Sequence, residues 1–314
     1  MATSGSYDYT LNREQLFQES LEILNVYDPI STLSYEDMFS CARTLNIMLK
    51  AWQADGLQLW VQKDCVLFLT KDKLKYTLSS TDDHATESHT ETAVLTAAVA
   101  SDTTIYVDST SGMAIGDYVG IELDSGAMHW DTVAGITDGT TFDINTGVPS
   151  AAAADNVVYF YTTRMPQPLR IEEANLYDQS TEDETDLQIV SRDEYWKLGK
   201  KTVSGIVNQL FFDPKQDETI IKLYMKPNTS TDYIKMVCHM PFEDMDTQAN
   251  DLAFPQYWYE AVVWGLASRL MYKFGGAVTQ DRRREIKGMA YEFKESALNF
   301  DTEDTSIFFQ PRSR

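Results

Sequence analysis

The chain has 314 residues, 43% hydrophobic and 12% aromatic, which is enough to bury a core and excludes a disordered polypeptide. Its 26 basic and 48 acidic residues leave a net charge of -22, which argues against sequence-independent grip on nucleic acid, because that grip needs Lys and Arg to displace counterions. No run approaches the roughly 18 apolar residues of a membrane span, and MATSGSYDYT lacks the basic and apolar regions of a signal peptide, so a soluble protein without an export signal is expected.

Asn12, with Gln15 three residues on, predicts a helix start, and Leu16, Phe17, Ser20, Leu21 and Leu24 follow at helical spacing until Asp28-Pro29. Ser34 and Asp37 open a second helix. Its apolar stripe is Met38, Ala42, Leu45, Leu49 and Trp52, beside a polar strip of Arg43, Asn46, Lys50 and Gln53, and Gly56 stands where a C-cap glycine belongs. Leu59 to Leu69, rich in Trp, Val, Leu and Phe, predicts a hairpin turning at Lys63-Asp64. From Ser79 to Glu91 the chain reads SSTDDHATESHTE, without periodicity, as a linker or exposed loop in which His84 and His89 are solvated.

Residues 92–163 are rich in Thr, Ala, Gly and Asp and carry short alternating runs at Ile105 and Val107, at Val119, Ile121 and Leu123, at Met128 and Trp130, at Phe142 and Ile144, and at Val158 and Phe160. Turns at Asp124-Ser125-Gly126 and Asp138-Gly139 punctuate them, which predicts a small antiparallel sandwich or barrel. Beyond it, residues 169–176 read as a strand, Tyr177 to Asp186 as an acidic loop, and Ser191 as the cap of a short helical turn with Tyr195 and Trp196. Val207 to Phe212, Ile220 to Tyr224 and Tyr233 to Cys238 predict a meander.

Pro255 is placed at the first position of a helix whose Tyr259, Val263, Leu266, Leu270 and Phe274 share one face, while Trp258, Val262, Trp264 and Met271 make the other faces apolar too. A helix apolar all round is buried in a core or a subunit contact. The last helix, from about Thr279 to Asn299, carries Ile286, Ala290, Phe293, Ala297 and Phe300. The fold class expected is therefore α+β. An antiparallel helical bundle with a β-meander spans residues 1–80 and 164–314, an inserted all-β module spans 92–163, and a C-terminal extension spans 301–314.

The residues that carry chemistry elsewhere do not cluster. Cys41, Cys65 and Cys238 are odd in number, far apart and set in apolar runs, as buried thiols of a reducing compartment are. His84, His89, His129 and His239 never reach the spacing of a zinc site, and Asp244 to Asn250 fails as a calcium loop because Ala249 stands where Gly is required. Phosphate cradles, dinucleotide fingerprints, nucleophile elbows and zinc-protease helices are absent from the sequence, so no cofactor, metal or enzymatic activity is expected. Two features suit contacts with other proteins instead. Arg282, Arg283 and Arg284 form a basic run at the unfavourable end of a helix. Ile307, Phe308 and Phe309, followed by Arg312, put aromatics behind a charged spacer, where an anchor for a neighbouring surface is expected.

Four segments taken together, LNIMLKAWQADGLQLW from Leu45, GIELDSGAMHWDTV from Gly120, SRDEYWKLGKKTVSG from Ser191 and FPQYWYEAVVWGLASRL from Phe254, resemble in order and spacing the head-to-tail adaptor, or tail accessory factor, of short-tailed bacteriophages. The likeness covers most of the chain. It implies a structural virion protein at the head-to-tail interface, assembled in the host cytoplasm, that adds beneath the portal as a ring of twelve, extends the DNA channel and docks the tail nozzle. Its partners would be the portal protein, the nozzle protein, neighbouring adaptor subunits and, through the module, tail fibres, with DNA only as passing cargo and no membrane. The resemblance nominates Phe308, Phe309 and Arg312, then Arg282 to Arg284, for portal or subunit contact, and the greasy helix adds Trp258 and Trp264. Two other functions compete: a tail-associated cell-wall hydrolase, and a fibre- or carbohydrate-binding component that would use Tyr118 and Trp130 if these are exposed.

Overall fold

The structure, a computed structural model, describes residues 5–7, 9–27, 33–55, 59–216, 218–247, 251–274, 276 and 278–301. Gly56 and the tail residues Phe308, Phe309 and Arg312 lie outside the described residues. The chain divides into two compact units, residues 1–61 with 241–314, and residues 62–240. Among the described residues strand makes up 33% and helix 27%. The expected helical bundle carrying a small β insertion is thereby corrected: the chain is mostly β, with a closed barrel and several sheets. The helices announce themselves through long amphipathic runs, whereas the strands are short and pair across large sequence separations, so the β content is only weakly marked in the sequence.

The first unit opens with α1 (Arg13–Ile23), whose Asn12 and Gln15 form a complete capping box. The helix α2 (Tyr35–Asp55) follows, burying Cys41, Leu45, Met48, Leu49 and Trp52 on one face. The chain then leaves for the second unit.

There β1 (Gln62–Phe68) runs unbroken where a hairpin was expected, because Lys63 and Asp64 pair with Cys238 and Val237 of a strand more than 170 residues away. The short β2 (Lys75–Leu78) and β3 (Ala85–Thr86) come next. Six strands then close into a barrel, β4 (Thr90–Thr96), β5 (Thr104–Val107), β6 (Tyr118–Glu122), β7 (Met128–Asp138), β8 (Thr141–Ile144) and β9 (Val157–Tyr161), in the order β4-β5-β8-β7-β6-β9. Alternate residues such as Ile105, Val107, Val119, Ile121, Phe142 and Phe160 fill its interior, and Gly126 supplies the left-handed backbone of one hairpin turn, at φ +73°. Closure removes the exposed edges that an open sheet of such short strands would leave.

After the barrel come β10 (Arg170–Asp178), β11 (Asp183–Asp186), β12 (Gln188–Val190), α3 (Arg192–Lys197), β13 (Ser204–Gly205), β14 (Gln209–Pro214), β15 (Thr219–Tyr224), β16 (Lys226–Pro227) and β17 (Tyr233–His239). They form a five-stranded sheet, β11-β10-β17-β1-β3, a four-stranded sheet, β12-β14-β15-β2, and the small pair β13-β16. The expected meander breaks up: β14 and β15 pair, but β17 crosses to the other sheet, between β1 and β10. The acidic loop is an antiparallel hairpin of β10 and β11. One core unites the two sheets, with Leu67, Ile171, Leu176, Ile234 and Met236 on one side and Tyr76, Leu78, Leu210, Ile221 and Leu223 on the other.

The chain returns to the helical unit at Pro241. Pro255 precedes a 3-10 turn, Gln256–Trp258, that leads into α4 (Tyr259–Leu270), and α5 (Gln280–Phe300) starts from a Thr279 cap. The helix α4 is central, burying Ala261, Val262, Leu266, Ala267 and Leu270 against the other three. Ser20 of α1 fits this core because its hydroxyl donates to the Leu16 and Val263 carbonyls. Among the described residues all three cysteines are buried free thiols, and no helix is long and apolar enough to cross a membrane.

Candidate functional site

The sequence places Tyr35 and Phe39 one turn apart at the start of α2, away from the stripe that faces the core. Both remain outside the helical core, 79% and 56% exposed. They line a groove of about 640 Å³ with Met38, Ala42 and Asn46 of α2, Arg13 of α1 and Met245 of the segment that follows Pro241. The Arg43 guanidinium stands 4.9 Å from the Phe39 ring centroid, so the aromatic row carries a cation on its flank. The far wall is held in place. Arg13 donates to the Met245 and Asp246 carbonyls at 3.0 and 2.7 Å, and Lys50 donates to the Phe242 carbonyl at 2.8 Å while pairing with Asp244 at 2.9 Å. Such a surface offers apolar area, flanking positive charge and a rigid backbone, which suits binding another protein.

The residues nominated from sequence are distributed differently. Trp258 is fully enclosed, tilted against Trp52 at 5.9 Å between centroids, so it is a core residue and presents no surface. Trp264 is half-buried and packs on Phe293 at 5.8 Å, joining α4 to α5. The arginine run does not act as one patch. Arg282 turns its guanidinium to the Ile23 carbonyl at the C-terminus of α1, 3.5 Å away, and pairs with Glu285 at 2.9 Å. That contact places a cation at the negative end of another helix, which offsets its poor position on its own. Arg283 is half-buried, whereas Arg284 is exposed and sits 3.4 Å from Asp281. Nothing in the sequence singles out Tyr35 and Phe39, because an apolar pair at i and i+4 outside the main stripe looks like ordinary surface variation.

In the β-rich unit the expected loop histidines are packed. His84 stacks on Trp130 with centroids 3.9 Å apart and planes within 11°, and its Nδ1 lies 2.6 Å from the Tyr161 hydroxyl. Arg164 reaches Nε2 at 3.3 Å and lies over the Tyr118 ring at 4.4 Å. A guanidinium only donates, so Nε2 accepts and the ring proton sits on Nδ1, directed at the Tyr161 oxygen. Burial first, then the charges of Arg164 and Lys73, lower the His84 pKa to about 3, which keeps the ring neutral. Tyr118 and Trp130 are thereby half-buried in an aromatic cluster with Phe68, Tyr159, Tyr161 and Tyr233, so they do not form an open platform for a sugar.

A second polar knot ties the barrel to the sheet beneath. Tyr159 places its hydroxyl 2.9 Å from both Gln179 Oε1 and the Thr231 carbonyl, and Gln179 Nε2 donates to Glu91 at 2.6 Å. Asp232 accepts from the Gln179 backbone N–H at 3.3 Å, and burial, reinforced by Asp178, raises its pKa to about 6. Burial also raises Glu91. These carboxyls are satisfied by amides and enclosed by aromatics, an arrangement that holds two layers together. Among the described residues no group of three metal-ligating side chains converges. No family model matches the sequence, and no curated protein matches it.

Proposed function

We propose that this protein is a ring-forming adaptor that couples the portal of a short-tailed bacteriophage to its tail. The observation that carries the reading is the groove beside α2, where Tyr35 and Phe39 stand exposed between Arg13 and Arg43 on a firmly packed helical unit. Exposed aromatics next to guanidinium groups are the residue types enriched where protein surfaces meet. The charge of -22 supports the same reading, since acidic walls let DNA pass without the counterion release that would trap it on a basic surface. In this reading twelve copies sit at the head-to-tail interface of the virion. The helical unit meets the portal and adjacent copies, the extension 301–314 reaches onto the portal through Phe308, Phe309 and Arg312, and the β-rich unit serves the nozzle and tail fibres.

Electron microscopy of the purified protein mixed with its portal tests the proposal. Rings seated on the portal, lost when residues 307–314 are deleted, are expected; single copies at every concentration would refute it. Hydrolysis of purified peptidoglycan, abolished by substituting an individual acid, would replace the adaptor with the cell-wall hydrolase.

A further inference from the structure

In a strongly acidic chain, one surface of the β-rich unit is basic and aromatic. The helix α3, capped by Ser191 and Glu194, lies on β14 with Tyr195 stacked on Phe211 at 5.3 Å, and this turns Trp196 outward, 65% exposed. Lys201 and Lys222 flank the indole at 5.9 and 5.8 Å, and Lys200, next to Lys201 in the chain, is exposed. Lys197 is neutralised by Asp193. Among the described residues Lys200, Lys201 and Lys222 have no carboxylate partner.

The opposite chemistry is displayed elsewhere on the same unit. The hairpin of β10 and β11 reads DQSTEDETD from Asp178, β11 is the free edge of the five-stranded sheet, and all four of its residues are exposed. Lys235 takes up Glu184, which leaves Glu182, Asp183 and Asp186 without an ion pair among the described residues. The patch lies on the outer face of one sheet and the hairpin at the edge of the other, so one copy can present its hairpin while its own patch is occupied. That is the condition for a head-to-tail contact, which closes into a ring when the rotation between copies allows.

We infer that the α3 patch receives the acidic β10–β11 hairpin of a second copy of this chain, with Trp196 as apolar anchor and Lys200, Lys201 and Lys222 facing Glu182, Asp183 and Asp186. The inference rests on the ring reading above and adds to that ring a lateral contact made by the β-rich unit. Nucleic acid is the weaker occupant, because the rest of the molecule repels phosphates, whereas every neighbouring copy supplies carboxylates. The lysines provide steering and selection of partner, and the exposed indole, covered on contact, provides most of the affinity.

The test uses two charge-reversed full-length chains, one carrying Lys200→Glu, Lys201→Glu and Lys222→Glu, the other Glu182→Lys, Asp183→Lys and Asp186→Lys, each checked for folding by circular dichroism. Ring formation on the portal is scored by electron microscopy and self-association by sedimentation. Each variant alone is expected to require at least about tenfold more protein to assemble, and an equimolar mixture to regain assembly. Trp196→Ala, a single exposed change, is expected to weaken assembly similarly and covers the case in which a triple variant misfolds. Wild-type rings that persist in both variants, or a mixture that does not recover, would overturn the contact and leave the adaptor reading standing. Wild-type chains that never seat on the portal would refute the adaptor reading, while sedimentation of the same chains still decides the contact. Binding of a single-stranded oligonucleotide lost only in the lysine variant, with the hairpin variant assembling normally, would assign the patch to nucleic acid and overturn the inference.

Discussion

Gly265 of α4 lies so close to Trp52 of α2 that a Cβ there would meet the indole Cζ2 at 2.7 Å and the Met48 sulfur at 3.2 Å. The same indole tilts against Trp258 and lies 5.2 Å from the Lys294 ammonium, so α2, α4 and α5 all meet at one side chain. Gly265→Ala is therefore expected to destabilise the helical unit by about 1–3 kcal/mol through overpacking, even though alanine is the better helix former. Gly288 of α5 has open space around its missing side chain, and Gly288→Ala is expected to stabilise by about 0.5–1 kcal/mol. Urea unfolding followed by tryptophan fluorescence separates the two, and equal signs would contradict the packing argument.

The His84 stack makes the β-rich unit sensitive to acid. The folded imidazole titrates at about 3 and the unfolded one near its ordinary 6.5, so between these values the unfolded chain holds a proton that the folded chain refuses. Stability contributed by this site is complete above pH 6.5 and is lost as pH falls toward 3. His84→Gln is expected to cost stability at pH 7.5, and its deficit in melting temperature should shrink as the pH is lowered to 4. A deficit independent of pH would count against this account.

Asp232 has the opposite linkage. Its folded pKa, raised to about 6 by burial, exceeds the ordinary carboxylate value, so the folded state holds the proton more tightly and the site loses stability as pH rises from about 4 to 6. Asp232→Asn preserves an acceptor for the Gln179 N–H and removes the buried charge. It is expected to stabilise by roughly 1 kcal/mol at pH 7.5, less at pH 4, in calorimetry.

The groove beside α2 separates binding from folding. Phe39→Ser with Arg43→Glu alters exposed side chains and is expected to shift the melting temperature little, about 0.5 kcal/mol or less in stability. Assembly with the portal is expected to fall by at least about tenfold, measured by the concentration at which half the portals carry a ring. Normal assembly of this variant would remove the groove from the interface.

What the sequence disclosed was local. The Asn12–Gln15 box and the Ser191 cap start helices where their side chains satisfy free backbone N–H groups, and the cap residue with the three that follow it suffices to see it. The alternation at Ile105, Val107, Phe142 and Ile144 likewise marks strands whose alternate residues face inward. Lys63-Asp64 misleads because a polar pair between apolar runs resembles a turn until its partners, Cys238 and Val237, are known. His84 was hidden for the same reason: Trp130 stands on a middle strand of the barrel and Tyr161 and Arg164 lie 77 and 80 residues away, and nothing in a Ser- and Thr-rich stretch signals an aromatic neighbour.

The barrel's two ends also come together. Thr90 pairs with Phe160, the Thr86 hydroxyl donates to the Thr163 carbonyl at 2.8 Å, and the Met165 N–H donates to the Ala85 carbonyl at 2.8 Å. A segment that enters and exits within one strand spacing can be excised or exchanged without rerouting the host sheets, provided the graft restores the ring face that covers Phe68 and His84. Variation among copies of such a protein should thus accumulate as whole-barrel replacement, with the strands that frame the junction held to their present spacing.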